Sequence, residues 1–118
     1  MKIAVFEKEG RVSRQCEDSA RVAIVEVDLP SNSVQQTFFL TPPTQTPGTL
    51  AGWLRLHDVD VVLASGIRQR ERDLIEDKGM KVVAGVPAFR VEPVIANFLA
   101  GTLQTGANSC EQQAGVGA

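Results

Sequence analysis

The sequence predicts an α/β protein with a mixed five-stranded sheet and helices on the faces of that sheet. The first apolar run, Lys2–Phe6, has no polar face and fits a central strand that is covered on both sides. Two segments rich in β-branched and aromatic residues follow, and the short turn between them predicts an antiparallel hairpin. The second half alternates strand and helix patterns, which requires parallel strands joined by helical crossovers.

The predicted hairpin consists of Arg21–Asp28 and Ser33–Leu40, joined by the turn-forming tetrapeptide LPSN. A stretch with the sequence TPPTQTPG follows, and it is too rich in proline to form regular structure. The last residues of this stretch predict the start of a helix, because Thr46 can cap a helix and Pro47 fits its first position. Four side chains then recur at helical spacing: Leu50, Trp53, Leu54 and His57.

The second half begins with a predicted buried strand over Asp58–Ala64 and a polar helix over Arg68–Lys78, which Gly79 ends. The next strand begins at Met80 with the sequence MKVVAG. The clearest amphipathic helix comes last, before Gly101, because apolar side chains recur there at helical spacing. Those side chains are Val91, Val94, Ile95, Phe98 and Leu99.

The predicted sheet has the hairpin on one side and the first strand in the centre, beside Asp58–Ala64, with the strand that begins at Met80 outside it. In open α/β sheets, ligands bind beyond the carboxyl ends of the parallel strands, where the connections diverge. Four segments would line this crevice: the loop that contains Cys16, the tetrapeptide Ser65-Gly66-Ile67-Arg68, the helix start Thr46-Pro47-Gly48 and the turn Gly85-Val86-Pro87.

Length and composition predict one domain over residues 1–103 and a flexible tail over residues 104–118, where apolar periodicity ends. The formal net charge of −2 gives no general attraction to nucleic acid or to acidic membranes. No apolar run is long enough for a signal peptide or a membrane span, so we expect a cytoplasmic protein. The two cysteines form no Cys-x-x-Cys motif, which favours reduced thiols.

Four segments together carry a family resemblance: MKIAV, DVDVVLASGI, GMKVVAGV and VEPVIANFLAGTL. In their order and spacing over residues 1–103, the chain resembles the dinitrogenase iron-molybdenum cofactor biosynthesis family. The resemblance implies a ribonuclease-H-like three-layer fold and a small carrier or accessory protein for the nitrogenase cofactor, without enzymatic activity. It also implies binding of an anionic metal-sulfur cluster that contains molybdenum with iron or copper. The segment Gly106–Cys110 is similar to the Gly-x-Asn-x-Cys ending of part of the family.

The loop after the first strand departs from the family pattern. Many relatives have a His-Phe-Gly element there, whereas this chain has Gln15-Cys16-Glu17, so no family histidine is carried over. If a metal is bound in this loop, Cys16 is the available soft ligand, suited to copper(I), iron-sulfur or zinc. Arg14 favours its thiolate, while Glu17 and Asp18 oppose it. The alternative is a partly buried free cysteine.

We therefore predict a cluster-binding set of six residues and two metal ligands. The binding set is Cys16, Gly48, Ser65, Gly66, Ile67 and Arg68, and the metal ligands are Cys16 and Cys110. At the start of the second helix, free N–H groups and Arg68 favour an anion, although a helix cap with an exposed arginine explains the same residues. Cys110 is either a ligand or an incidental thiol; nine extended residues from Gly101 span about 30 Å, enough to reach the crevice.

Other candidate residues favour structural roles. His57 is expected to be a half-buried histidine near a helix end rather than a metal ligand, and Trp53 is expected to pack in the core. Arg72 and Glu76 are spaced for a solvated i, i+4 ion pair. A two-metal nuclease is disfavoured, because the strand Asp58–Ala64 ends without an acid and Glu7 is the acid directly after the first strand.

Two further functions stay open beside the carrier: a regulatory or partner-binding domain without metal, and a thiol-redox protein that uses the two cysteines. The expected partners are the metal cluster and cofactor-assembly proteins, with no nucleic acid and no membrane. We expect the chain to be a monomer or a weak homodimer.

Overall fold

The computed structural model describes residues 1–15, 20–28, 31–43 and 49–106. It confirms the predicted mixed sheet, with strands β1 (Lys2–Lys8), β2 (Arg11–Val12), β3 (Arg21–Asp28), β4 (Ser33–Leu40), β5 (Val61–Leu63) and β6 (Lys81–Val83). The helices are α1 (Thr49–Leu56), α2 (Gln69–Asp77) and α3 (Val91–Ala100). Within the described ranges, none of these helices is long and apolar enough to cross a bilayer.

The strand order is β4-β3-β1-β5-β6, with β2 paired to the end of β1. The pairs β1–β3 and β3–β4 are antiparallel, whereas β1–β5 and β5–β6 are parallel, so the predicted central position of the first strand is confirmed. The hairpin strands β3 and β4 have the bounds that the sequence predicted. Their strong β-branched and aromatic content accounts for this agreement.

Two apolar clusters cover the two faces of the sheet and produce three layers. On one face, Ala4 and Phe6 of β1 pack with residues of α1 and α2, including Leu54 and Ile75. On the other face, alternate residues of β1 pack against α3. Because successive side chains of a strand point to opposite faces, both sets are buried in a strand without a polar side.

The two-residue strand β2 adds a sixth strand that the sequence pattern did not reveal, because two residues show no periodicity. The turn between β1 and β2 consists of Glu9 and Gly10, whose φ angles are 56° and 81°. Two positive φ angles are those of a type I′ hairpin turn. On its outer side the hairpin is bonded to the start of α3: the Val12 N–H donates to the Phe89 carbonyl at 2.9 Å, and the Val91 N–H donates to the Gly10 carbonyl at 3.1 Å.

After α3, the chain returns to the carboxyl edge of the sheet. Gly101 ends the helix with a φ of 75°, as predicted, and Leu103 packs against the α3-side cluster. The Gly106 N–H then donates to the Gly85 carbonyl at 2.8 Å. Residues 104–106 of the predicted tail are therefore seen at the sheet edge, and residues 107–118 lie outside the described part of the chain.

The close approach of Gly85 and Gly106 generates a stability prediction. Gly85 has a φ of 73°, and a Cβ there would overlap the Gly106 carbonyl oxygen. Gly85→Ala should therefore lower the free energy of unfolding by about 1 kcal/mol through backbone strain. It should also displace the C-terminal segment at Gly106, which adds to the loss of stability. Urea unfolding and hydrogen exchange of the Gly106 amide would measure both effects.

Gly79→Ala is the matched control for this substitution. Gly79 has a φ of 89°, and a Cβ there meets no atom within 4 Å, so this change reports the backbone strain alone. We expect Gly85→Ala to be more destabilising than Gly79→Ala. Only Gly85→Ala should increase the hydrogen exchange of the Gly106 amide. Equal losses of stability with unchanged exchange at Gly106 would contradict the prediction.

Candidate functional site

The predicted crevice segments meet at the carboxyl edge of the sheet wherever the structure describes them. The parallel register sets Val5 beside Leu63, so the chain leaves β1 and β5 at the same edge. The segment after β6 joins them, because the Gly85 N–H donates to the Ser65 carbonyl and the Val86 N–H donates to the Ala64 carbonyl, each at 3.1 Å. The helix start Thr46-Pro47-Gly48 lies outside the described residues.

A cavity of about 460 Å³ lies at this edge, beside the loop that follows β1. Its side chains include three cations and one acid, and its lining residues are Lys8, Glu9, Arg11, Val12, Ser13, Arg14 and Ala88. The volume lies within the range of about 300–1,000 Å³ that is usual for ligand sites. An excess of positive charge in a concave surface attracts anions, so this basic cavity favours an anionic ligand.

The loop that contains Cys16 starts and ends at β1, beside the basic cavity. The Ser13 N–H donates to the Phe6 carbonyl at 2.7 Å, and the Ala20 N–H donates to the Glu7 carbonyl at 3.0 Å. The Ser13 hydroxyl also donates to the Gln15 carbonyl at 2.7 Å, which folds the first residues of the loop. Cys16 itself lies outside the described residues, immediately after Gln15. Its predicted role as a ligand stays a prediction.

The tetrapeptide Ser65–Arg68 is mostly buried. Ser65 and Ile67 are 8% and 1% exposed, and Ile67 belongs to the core cluster under α1 and α2. Arg68, at the start of α2, is the exposed member of the tetrapeptide, and its carbonyl accepts the Arg72 N–H at 3.0 Å. Arg68 is therefore the member whose side chain solvent and ligands can reach.

The C-terminal segment approaches the same edge through the bond between Gly106 and Gly85. Ala88, which lines the basic cavity, is three residues beyond Gly85. Cys110 lies outside the described residues, four positions after Gly106, and covalent geometry limits four residues to a span of about 14 Å. Cys110 is therefore connected to the carboxyl edge through only four residues after Gly106, which itself lies at that edge.

A buried carboxylate near the end of β1 has a structural role that the sequence did not predict. Glu7 is 1% exposed, and its Oε1 accepts the Gly10 N–H while its Oε2 accepts the Arg21 Nε–H, each at 2.6 Å. The Arg21 guanidinium lies over the Phe39 ring, 4.1 Å from its centroid. The position of an acid directly after the apolar run Lys2–Phe6, where β1 continues to Lys8, was the signal that could have predicted a fixed partner for it.

The structural roles predicted for His57, Trp53 and the Arg72–Glu76 pair are confirmed. His57 is half-buried and lies edge-on to Trp53, with ring centroids 4.9 Å apart, and Trp53 packs against the core. Arg72 and Glu76 form the expected i, i+4 ion pair at 3.8 Å. In the described ranges, no three histidine, cysteine or acidic side chains come together as a metal site.

Comparison with known proteins gave a family match and structural neighbours. The sequence model of the family described as "Dinitrogenase iron-molybdenum cofactor" matches residues 1–101. Comparison with curated proteins gave no match.

Solved structures share the fold over nearly the whole chain. PH0822 is 25% identical, and the alignment covers 92% of this chain and 99% of that one with a TM-score of 0.81. MJ0327 from Methanocaldococcus jannaschii is 19% identical, with coverages of 92% and 96% and a TM-score of 0.73. The apo form of the orange protein from Desulfovibrio gigas is 18% identical, with coverages of 91% and 93% and a TM-score of 0.69.

The ion pair between buried Glu7 and half-exposed Arg21 predicts unequal effects of removing either partner. Arg21→Met should destabilise the protein by about 3 kcal/mol, because it leaves a buried carboxylate without its counter-charge. Glu7→Gln should lower the free energy of unfolding by about 1–3 kcal/mol. The glutamine amide has one oxygen, so it cannot accept hydrogen bonds at two oxygens from the Gly10 N–H and the Arg21 Nε–H as the carboxylate does. Urea unfolding would measure both values.

Arg72→Met is the matched control, because Arg72 pairs on α2 with an acid, Glu76, that is 45% exposed, so its removal leaves no buried carboxylate and should cost less than about 0.5 kcal/mol. The double variant Glu7→Gln/Arg21→Met should lose less stability than the sum of the two single variants. Additive losses would show that the two side chains are not coupled.

Proposed function

The chain belongs to the dinitrogenase iron-molybdenum cofactor family, and from this premise we propose that it is a small carrier or accessory protein for an anionic metal-sulfur cluster. The cluster, a molybdenum sulfide that also contains iron or copper, is cargo that the protein binds and passes on. The proposed partners are cofactor-assembly proteins that supply or receive this cargo. The role requires binding and release, without a chemical step on the protein.

The observation that carries this proposal is the basic cavity at the carboxyl edge. Lys8, Arg11 and Arg14 face one acid, Glu9, in a space of about 460 Å³. Sulfide clusters of molybdenum are bulky anions, and several exposed cations around a concave surface bind such a charge without strict geometry. The donor set of the described residues therefore fits an anionic cluster better than a bare metal cation, which would need several acids or histidines.

Soft ligands would add selectivity to this charge attraction. The loop with Cys16 starts and ends beside the cavity, and a thiolate suits iron or copper(I) in a sulfide cluster. Cys110, within reach of the same edge, is the proposed second ligand. Gly48 and Arg68 are proposed to complete the set, with the exposed Arg68 guanidinium donating hydrogen bonds to the anion.

The contacts of Glu7 support a role without catalysis. A two-metal nuclease needs several carboxylates that are free to bind metal ions. Both carboxylate oxygens of Glu7 already accept hydrogen bonds from Gly10 and Arg21, so this acid is used to hold the fold.

Anaerobic incubation with tetrathiomolybdate, plus copper(I) or iron(II), tests the proposal. We expect the wild-type protein to retain a visible chromophore of fixed stoichiometry through gel filtration, and Cys16→Ser to bind it more weakly. The double variant Arg11→Gln/Arg14→Gln should lower the affinity for tetrathiomolybdate alone by about tenfold, because two cations near the anion are removed. Titration at low and high salt should show a smaller salt dependence in this variant.

The matched control is Arg55→Gln/Arg70→Gln, which removes the same charge from exposed positions on α1 and α2. It should bind tetrathiomolybdate like the wild type. If both double variants lose affinity equally, net charge alone explains the uptake and the basic cavity is not the site. Uptake that is unchanged in every variant would contradict the whole proposal.

A further inference from the structure

The strand β4 leaves an unusually accessible edge on the sheet. It is the last strand on its side, and in the part of the chain that the structure describes no strand lies beyond it. Seven of its eight residues are exposed and the eighth is half-buried. Its outer backbone groups are therefore available to pair with another strand.

From Gln36 to Leu40, this edge lacks the features that usually prevent strand pairing. Natural edge strands are protected by charged side chains, especially lysine, or by proline. In contrast, β4 contains neither, and no charged residue or histidine occurs anywhere between Asp28 and Arg55. Three large apolar side chains of β4 are nearly half exposed: Val34 at 48%, Phe38 at 45% and Phe39 at 48%.

The pairing of β4 with β3 shows which part of the edge is regular. The register shifts between Glu26 and Val27, so a bulge interrupts the ladder near the start of β4. From Gln36 to Leu40 the register is continuous. The regular part of the edge is therefore a five-residue run whose central residue is Phe38.

Symmetry restricts how such a run can pair with its own copy. In two antiparallel strands related by a two-fold axis perpendicular to the sheet, the residue on the axis faces itself. An axis at Phe38 uses the whole regular run: Phe38 meets Phe38 of the second copy, Thr37 meets Phe39, and Gln36 meets Leu40. These pairings oppose no like charges, and the Phe38 pair is an aromatic cross-strand pair.

We propose that two copies of this chain associate through β4, in antiparallel orientation about a two-fold axis at Phe38, so that their sheets become continuous. A second copy fits better than a different protein because the strand has no charge to recognise a charged partner and opposes no like charge when it pairs with itself. A single strand pair with a few apolar side chains is smaller than a standard interface of about 1,600 Å², so the dimer is reversible, with a micromolar dissociation constant.

A groove beside β4 offers additional apolar contact on the α3 side. Two cavities, of about 570 and 480 Å³, share Val34, Glu92 and Ile95 and therefore form one groove between β4 and α3. Phe39 of β4 lines the larger cavity, and Leu99 of α3 lines the smaller one. None of the residues that line the basic cavity lines this groove, so a second copy can cover the groove while the basic cavity stays open.

Sedimentation velocity between about 1 μM and about 200 μM tests the association. The wild-type protein should shift towards twice the chain mass of 12.7 kDa as concentration rises. Phe38→Lys should remain a monomer at every concentration, since it sets two like charges against each other at the axis. Leu56→Lys, which changes a residue that is 82% exposed at the end of α1, should dimerise like the wild type. A wild-type protein that stays monomeric throughout overturns the proposal.

Cross-linking tests the position of the axis. Paired residues of antiparallel strands have Cα atoms about 4.5–5.5 Å apart, within disulfide range. In a chain that carries Cys16→Ser and Cys110→Ser, Phe38→Cys should form a disulfide-linked dimer on mild oxidation. Phe89→Cys should not, although Phe89 is more exposed than Phe38, at 62% against 45%, because it lies away from β4. A dimer that does not cross-link at position 38, or that persists in Phe38→Lys, overturns this interface.

Discussion

The buried Glu7 carboxylate is the interaction on which the arrangement of the carboxyl edge depends. One oxygen accepts from the Gly10 amide and so holds the turn into β2, while the other accepts from Arg21 and so holds the start of β3. The Gly10 carbonyl of the same turn accepts a hydrogen bond from the Val91 N–H, and this bond attaches the start of α3 to the turn. A carboxylate that is desolvated by burial is stable only with such partners, so one side chain links four elements of the fold.

The basic cavity and the β4 edge lie at different parts of the same sheet, and different physical effects operate at each. At the cavity, cations from β1, β2 and the following loop are close together because the β1–β2 hairpin turns the chain back on itself. At the edge, the absence of charge leaves hydrogen bonding and apolar contact as the available attractions. A carrier that binds an anion at one surface and its own copy at another would use these two effects separately.

The order of the sheet, the hairpin and the three helices could be predicted from the sequence because each depends on periodicity within a continuous segment. The strand β2, the partners of Glu7 and the bond between Gly106 and Gly85 could not, because each joins residues that only the folded chain brings together. The sequence shows Lys8, Arg11 and Arg14, but not that they lie close together. Their proximity depends on the turn between β1 and β2, which the sequence pattern did not predict. Topology predicted that the segment Ser65–Arg68 lines the crevice, because it follows a parallel strand at the carboxyl edge. Topology does not predict the direction of each side chain, and Ile67 packs in the core.

The hairpin that brings Lys8, Arg11 and Arg14 together also has an energetic consequence for the protein without a bound anion. Backbone pairing fixes Lys8 opposite Arg11, so these like charges are held near one another whether or not an anion is present. Folding therefore overcomes a local electrostatic repulsion that an anion would relieve, and ligand occupancy and conformational stability become thermodynamically linked. Polyvalent anions should accordingly act as stabilising solutes for this protein, and monovalent salt should do so more weakly, through screening alone.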